Sequence, residues 1–348
     1  MQKQMKCVVF HGKQDERVEY RDIPEPQEGE VLIKVMACGI CGSDVHIYEG
    51  DQGSAAAVPP LIQGHEFAGI VDRLGKDVTS CRVGDRVVAD PANNCEECFY
   101  CEAGLMSHCD HMEAIGTTRD GGFAQYCTVP ARLIHHIEDS VSFQEAAMAE
   151  PLACCINGAD RSDIELGDDV VIYGGGPIGL LHLQLALMKG AARVAVVEPV
   201  EEKRAMATKL GAYCTINPVK DKVQKVLQDN GIYHVKTVIE TCGRKETSEE
   251  AIEIVDKHGT VIYFAVTGVN ATMDLKTYMV FQKELSIKGS YCSPYGMERA
   301  THMINAHRID VTTMVSDAIP LEELESVLKD PKKRATGKYI VLPNGESD

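Results

Sequence analysis

"DDVVIYGGGPIGLLHLQLALMKGAARVAVVEP", residues 168–199, decides the fold. It reads as a short apolar strand, a glycine turn, an amphipathic helix and a second strand. That succession is a βαβ unit, which places the two strands side by side and parallel. Gly174, Gly176 and Gly179 stand in G-x-G-x-x-G spacing, with Pro177 and Ile178 between the last two. Each glycine has a physical reason. The first makes a tight turn, the second lets backbone approach a pyrophosphate, and the third packs helix on strand. The helix that opens at Pro177 offers unpaired N–H groups to phosphate oxygens. Glu198 closes the second strand. A carboxylate there accepts hydrogen bonds from ribose hydroxyls and repels a 2′-phosphate, so NAD is expected rather than NADP. Lys203, five residues on, is a candidate for the ribose edge.

Outward from this unit the alternation continues. Strands are expected near 213–216, at "TVIET", at "TVIYFAV" and at "LSIKGS", with helices near 220–228 and 247–257. Strands alternating with helices predict an α/β, doubly wound parallel sheet. The preceding ~150 residues differ, in a chain long enough for two domains. "EVLIKVMACGI", "FAGIVDRLG", "GDRVVADP" and "FAQYCTVP" are β-branched runs bounded by Gly, Pro and Asp, so this portion is expected to be mostly β. After residue 292 come two helical patterns, "GMERATHMINAHRI" and "PLEELESVLKD", and a strand "GKYIVLP". So short a piece buries little core alone and is expected to return to the β-rich portion. The expected division is 1–154, 155–292 and 293–348.

The net charge of −17, with both signs interspersed, disfavours nucleic acid and anionic membranes as partners. No run reaches the ~18 apolar residues of a membrane-spanning helix. The amino end, "MQKQMKCVVFHGKQ", lacks the apolar run of a signal peptide, and a cytoplasmic location is expected. In a reducing compartment clustered thiols bind metal more often than they form disulfides. Cys7, Cys127, Cys214 and Cys242 sit singly in apolar stretches and read as small buried hydrophobes, as does the pair Cys154 and Cys155.

Cys95, Cys98, Cys101 and Cys109 form C-x2-C-x2-C-x7-C within residues 93–110. Four thiolates close a tetrahedral zinc shell with no open position. An iron–sulfur cluster is the rival, although its bacterial run has a three-residue final gap followed by proline, where this chain has seven residues and then Asp110. A cluster holding no metal is the third reading. A second set is dispersed: Cys41 in "ACGICGSDVH", His65 and Glu66 in "QGHEF", and Glu150 in "AMAEPLACC". These are the residue types of open catalytic zinc sites, but spacing alone does not bring them together.

With "GICGSDVHIYEG", "GHEFAG", "VGDRV", the four-cysteine lobe, "GGFAQY", "EPLACC" and "GGGPIGL" all in order, the chain resembles the zinc-containing medium-chain dehydrogenase/reductase (alcohol dehydrogenase) superfamily. The resemblance is to its branch of polyol (sorbitol-like), butanediol and threonine dehydrogenases, and it covers essentially the whole chain. It implies a Rossmann-type NAD-binding domain inserted in a β-rich GroES-like catalytic domain formed from both chain ends. It implies two zincs, one catalytic and one structural, and a homo-dimer or homo-tetramer. By motif, Cys41, His65 and Glu66 become catalytic zinc ligands, and Glu150 the carboxylate that ligates zinc directly or holds its water. Ser43 takes the place of the hydroxyl that bonds the substrate alcohol, and His46 that of the outer member of a proton relay.

The activity so implied is hydride transfer between NAD and a secondary alcohol, first of all a polyol or sugar alcohol going to a ketose. Departures from the sorbitol pattern keep other substrates open. Ser290 stands where those enzymes carry arginine, beside Tyr291, and Ile47 stands where they carry tyrosine. A threonine- or butanediol-type substrate, or a sugar phosphate, is the alternative within the family. A zinc- and NAD-binding structural or sensor protein without turnover is the alternative outside it.

Overall fold

The computed structural model describes residues 3–53, 55–293 and 295–345. The chain divides into two compact units, one of Met1–Ala153 with Pro294–Asp348 and one of Cys154–Ser293.

The first unit is built on a seven-stranded sheet whose central strand is Glu30–Gly39. Its sequence, EVLIKVMACG, is apolar on both faces and buried along nearly its whole length, as a strand covered on both sides must be. It pairs antiparallel with Glu66–Leu74 and with Tyr126–Pro130. The chain's last strand, Lys338–Val341, joins it from the carboxyl end, with Ile340 opposite Gly39 and Val341 opposite Cys38. Gly39 is therefore flanked by Glu66 on one side and the returning strand on the other. A separate hairpin, Gln4–Gly12 with Asp15–Asp22, lies outside this sheet and was not anticipated from the sequence. The core of the first unit includes Val31, Ile33, Phe67, Val87, Phe123 and Leu328.

Helices in the first 150 residues are short, apart from the one that leaves the unit. Gly42–Tyr48 follows directly on the central strand. Ser142 and Glu145 form a reciprocal capping box that starts Phe143–Ala146, two orphan donors being satisfied at once. The chain then enters the helix Ala149–Arg161, which carries Glu150 in its first turn.

The second unit holds a six-stranded, all-parallel sheet. Its spatial order is Cys214–Ile216, Arg193–Val197, Asp169–Tyr173, Val235–Glu240, Thr260–Tyr263 and Ser286–Gly289. In chain order that is 3-2-1-4-5-6, the dinucleotide-binding arrangement, and the order reverses beside Asp169–Tyr173. The apolar run DVVIY is buried at all five positions. Arg193 clamps Asp169 with two hydrogen bonds of 2.7 and 2.6 Å, tying together the amino ends of the first two strands. The carboxyl ends of Asp169–Tyr173 and Val235–Glu240 thus define the crevice where open α/β sheets bind ligands. No helix among the described residues is long and apolar enough to cross a membrane.

Candidate functional site

The central strand of the first unit ends at Gly39, and two residues later Cys41 caps the helix Gly42–Tyr48. The Cys41 N–H donates to Asp44 Oδ2 at 2.8 Å, which fixes the strand-to-helix turn. Across the sheet, Glu66 begins the neighbouring strand and His65 immediately precedes it. Register therefore brings together residues that are distant in sequence: ligand atoms of Cys41, His65 and Glu66 all lie within 4.8 Å of one another. Glu66 is almost fully buried and His65 is only 8% exposed. Glu150, half-buried in the first turn of its helix, is not among the residues of that group.

The chemistry of this set fits a zinc ion. A thiol, an imidazole and a carboxylate are three protein ligands of the kinds found in catalytic zinc sites, which keep a fourth position for water or substrate. Buried polar atoms are normally hydrogen-bonded, yet His65 Nδ1 and Asp44 Oδ1 make no hydrogen bond and face each other at 3.5 Å. A carboxylate against one ring nitrogen sets the tautomer and leaves the other nitrogen as ligand. Burial works against a charged His65, but Asp44 and Cys41 outweigh it and hold its pKa well above the ordinary histidine value.

Lys338, the first residue of the returning strand, has its ammonium ion-paired with Glu66 Oε2. Its side chain is 7% exposed and that of Glu66 is 1% exposed. Burial opposes the ammonium form, and Glu66, Cys41 and Asp44 together more than restore it. Neither Lys338 nor Asp44 was singled out in the sequence. Asp44 sits three residues after Cys41, a spacing that could have signalled a cap, whereas nothing local marks Lys338.

Ser43 and His46 lie on the helix that Cys41 caps, three residues apart and so on neighbouring positions of one face. Ser43 is buried, and His46 is half-buried with Nδ1 3.7 Å from Asp51 Oδ2.

The four-cysteine lobe is assembled. Sγ–Sγ separations are 3.5 Å for Cys95–Cys109, 3.6 Å for Cys98–Cys101 and 4.0 Å for Cys95–Cys101. Zinc at about 2.3 Å from each of four sulfurs sets neighbouring sulfurs about 3.8 Å apart. The backbone N–H groups of Cys95 and His111 each donate to Cys109 Sγ at 3.3 Å. Those of Asp110 and Cys101 point at Cys98 and pull its thiol down to about 6, favouring the thiolate that binds metal.

In the second unit the glycine turn follows Tyr173. Gly174 has φ +103°, a left-handed conformation costly for any other residue. A Cβ on Gly179 would sit 1.9 Å from Gly174 O, so helix and turn touch there. A Cβ on Gly176 would meet nothing within 4 Å, which leaves open space at the amino end of the helix. That helix, Pro177–Met188, has Gly176 as N-cap, proline in its first turn and no side-chain cap. Such an arrangement has the room and the free N–H groups that a pyrophosphate requires. Glu198 is buried, and its oxygens accept from Gly175 N and Val200 N at 2.8 Å each. Lys203 is half-buried on the helix Glu201–Lys209. Arg204 on the same helix donates to the carbonyls of Glu198 and Pro199 and braces the strand end.

Cys7, Cys127 and Cys155 are buried, as small hydrophobes should be. Cys242 is exposed instead, because it follows the strand Val235–Glu240 in the crevice next to Gly174.

Comparison with known proteins agrees with this architecture. Residues 27–139 match the alcohol dehydrogenase GroES-like domain family, and residues 177–307 match the zinc-binding dehydrogenase family. A D-arabitol-phosphate dehydrogenase of Enterococcus avium is 33% identical over 353 aligned positions, covering 99% of both chains. D-arabinitol dehydrogenase 1 of Uromyces fabae is 31% identical over 346, covering 98% of both. A zinc-binding dehydrogenase of Sinorhizobium meliloti 1021, solved bound to NADP, superposes with a TM-score of 0.94 at 34% identity, covering 98% of this chain and 100% of that one. The chain belongs to the zinc-containing medium-chain alcohol dehydrogenase superfamily. It is an oxidoreductase acting on CH–OH donors.

Proposed function

We propose that this chain oxidises a secondary alcohol of a polyol or sugar alcohol to the ketose, reversibly, with NAD as hydride acceptor. The observation that carries the reading is the convergence of Cys41, His65 and Glu66 within 4.8 Å. When bound, zinc supplies a Lewis acid for the alcohol oxygen and the nicotinamide supplies the hydride acceptor. The protein's own groups do the rest. Cys41, His65 and Glu66 hold the metal. Ser43 Oγ accepts the alcohol proton and passes its own outward. His46, the neighbouring position on the same helix face, receives it, its Nδ1 turned to Asp51. Glu150 orients water or substrate near the metal. Gly174, Gly176, Pro177, Ile178 and Gly179 carry the pyrophosphate at the helix terminus, and Glu198 takes the adenosine ribose hydroxyls. Lys203 lies along the ribose edge. The lobe of Cys95, Cys98, Cys101 and Cys109 binds the second zinc, which has a structural role.

The polyol reading draws on relatives named for arabinitol and arabitol phosphate. A homo-oligomer draws on the open sheet edge Ser286–Gly289 beside a helix with exposed Tyr278 and Phe281. The test is a panel of alditols, phosphorylated alditols, threonine and 2,3-butanediol with NAD and with NADP, read by absorbance of the reduced cofactor. Zinc per chain is measured on the same samples. Turnover of an alditol with NAD at two zincs per chain is the expected result. Turnover with none of the alcohols at full zinc loading would sink the reading.

A further inference from the structure

Lys338 belongs to the strand on the other side of Gly39 from Glu66, so two strand spacings, roughly 9–10 Å, separate the backbones that carry the pair. The side chains meet only because the residue between them has none. A Cβ on Gly39 would fall 2.1 Å from Glu66 Oε2 and 2.9 Å from Lys338 Cε. A lysine and a glutamate this deeply buried are rare unless paired. Here the pair bridges the two ends of the chain at the metal centre. Any dication held by Cys41, His65 and Glu66 must share the Glu66 carboxylate with this ammonium.

We propose that Lys338 is the positioning residue of the metal centre, acting through Glu66: its ammonium holds the carboxylate in place and competes with the metal for it. The site's affinity for zinc is therefore set below what its three ligands alone would give. This rests on the reading of Cys41, His65 and Glu66 as zinc ligands.

The test uses the full zinc-loaded chain and a chromophoric chelator. The zinc that is absent from a Cys41→Ser variant identifies the site being measured. By the Coulomb cost of a like charge beside a dication, Lys338→Met should bind this zinc at least about tenfold more tightly than the parent, and Lys338→Arg should stay within about threefold of it. In a Glu66→Gln background the same Lys338→Met change should move zinc affinity less than about threefold, because the shared carboxylate is gone. Lys338→Met leaves Glu66 unpaired without metal, so zinc should also raise its Tm by more than it raises the parent's. If the methionine variant does not fold, Lys338→Gln keeps a donor for Glu66 and is expected to tighten zinc in the same direction. Unchanged or weaker zinc binding in a folded Lys338 variant overturns the proposal, as does tightening that persists undiminished with Glu66→Gln. A parent chain with no Cys41-dependent zinc overturns the metal-centre reading itself. A parent that follows the expected zinc pattern but oxidises no alcohol leaves the proposal standing and removes only the substrate reading.

Discussion

Glu198 reaches back from the end of its strand to accept the N–H of Gly175, 2.8 Å away, so the carboxylate proposed for the ribose and the glycine turn proposed for the pyrophosphate hold each other in place. A Cβ on Gly175 would lie 2.8 Å from Glu198 Cγ, so the contact also depends on that glycine. Glu198→Ala removes hydrogen bonds to two backbone donors, Gly175 N and Val200 N. Bonds to a charged group are worth about 1.5–3 kcal/mol each, so stability should fall along with cofactor binding. KM for NAD should rise about tenfold or more while KM for NADP changes less, since the carboxylate repels a 2′-phosphate. Steady-state kinetics with both cofactors, with Tm measured in parallel, checks this. An enzyme that prefers NADP before any substitution contradicts the assigned role.

Loss of a ligand should separate chemistry from cofactor binding. Cys41 and His65 converge in the first unit, and the glycine turn is in the second. Cys41→Ser and His65→Ala should each lower kcat by about a thousandfold or more, since a bound metal supplies several kcal/mol of charge stabilisation. NAD binding followed by fluorescence should stay within about threefold of the parent, less than half the 1.4 kcal/mol of a tenfold change. Wild-type turnover in either variant, with its zinc content measured, would refute the catalytic-metal assignment.

The cysteine lobe predicts the opposite pattern. Four thiolates closed around the proposed zinc leave no place for a substrate, and two backbone donors terminate on Cys109 alone. Cys98→Ser should cost one zinc per chain and lower Tm, by about 2–4 °C for each kcal/mol lost. kcat per folded chain should stay close to the parent's at low temperature. Loss of activity at full stability would give the lobe a catalytic part.

The dinucleotide half of this architecture was legible because its signals are local. Strand, turn, helix and carboxylate of residues 168–199 are contiguous, and each glycine answers a short-range steric need. The hairpin Gln4–Gly12 with Asp15–Asp22 was not legible. Its turn passes through Gln14 at φ +58° rather than through an Asn-Gly or Gly-Gly pair, and its second strand, DERVEYRD, is mostly polar. The proposed metal centre was half legible. Cys41, His65 and Glu66 announce themselves by residue type, but their meeting is a product of sheet register between Gly39 and Glu66. Lys338 left no trace in its neighbourhood, because its partner comes from the far side of Gly39. Register across three strands is a tertiary fact that no local pattern encodes.

His182 gives the fold a pH dependence that can be isolated. It lies inside the helix Pro177–Met188, fully buried, edge-on to Phe264 at 4.7 Å, and neither ring nitrogen makes a hydrogen bond. Burial pushes its pKa down from 6.5 to about 3. Between those values the unfolded chain binds a proton that the folded chain refuses, so stability rises with pH across that window. Its contribution is fully present above about pH 6.5 and is lost as pH falls toward 3, at up to about 1.4 kcal/mol per unit. Glu16 works the other way. Burial, then Asp44 and Glu325, raise its carboxyl to about 9, so its contribution is present below pH 4.5 and is lost as pH rises toward 9. His182→Leu keeps the apolar contact and removes the titration. Relative to the parent it should become progressively more stable as pH falls from 6.5 to 4.5, with little relative change between pH 7 and 8. Urea melts of both chains at half-unit pH intervals give the difference directly, because the slope from Glu16 is common to both and cancels. Parallel stability curves for the two chains below pH 6.5 would mean that His182 finds a proton-accepting partner in the folded state.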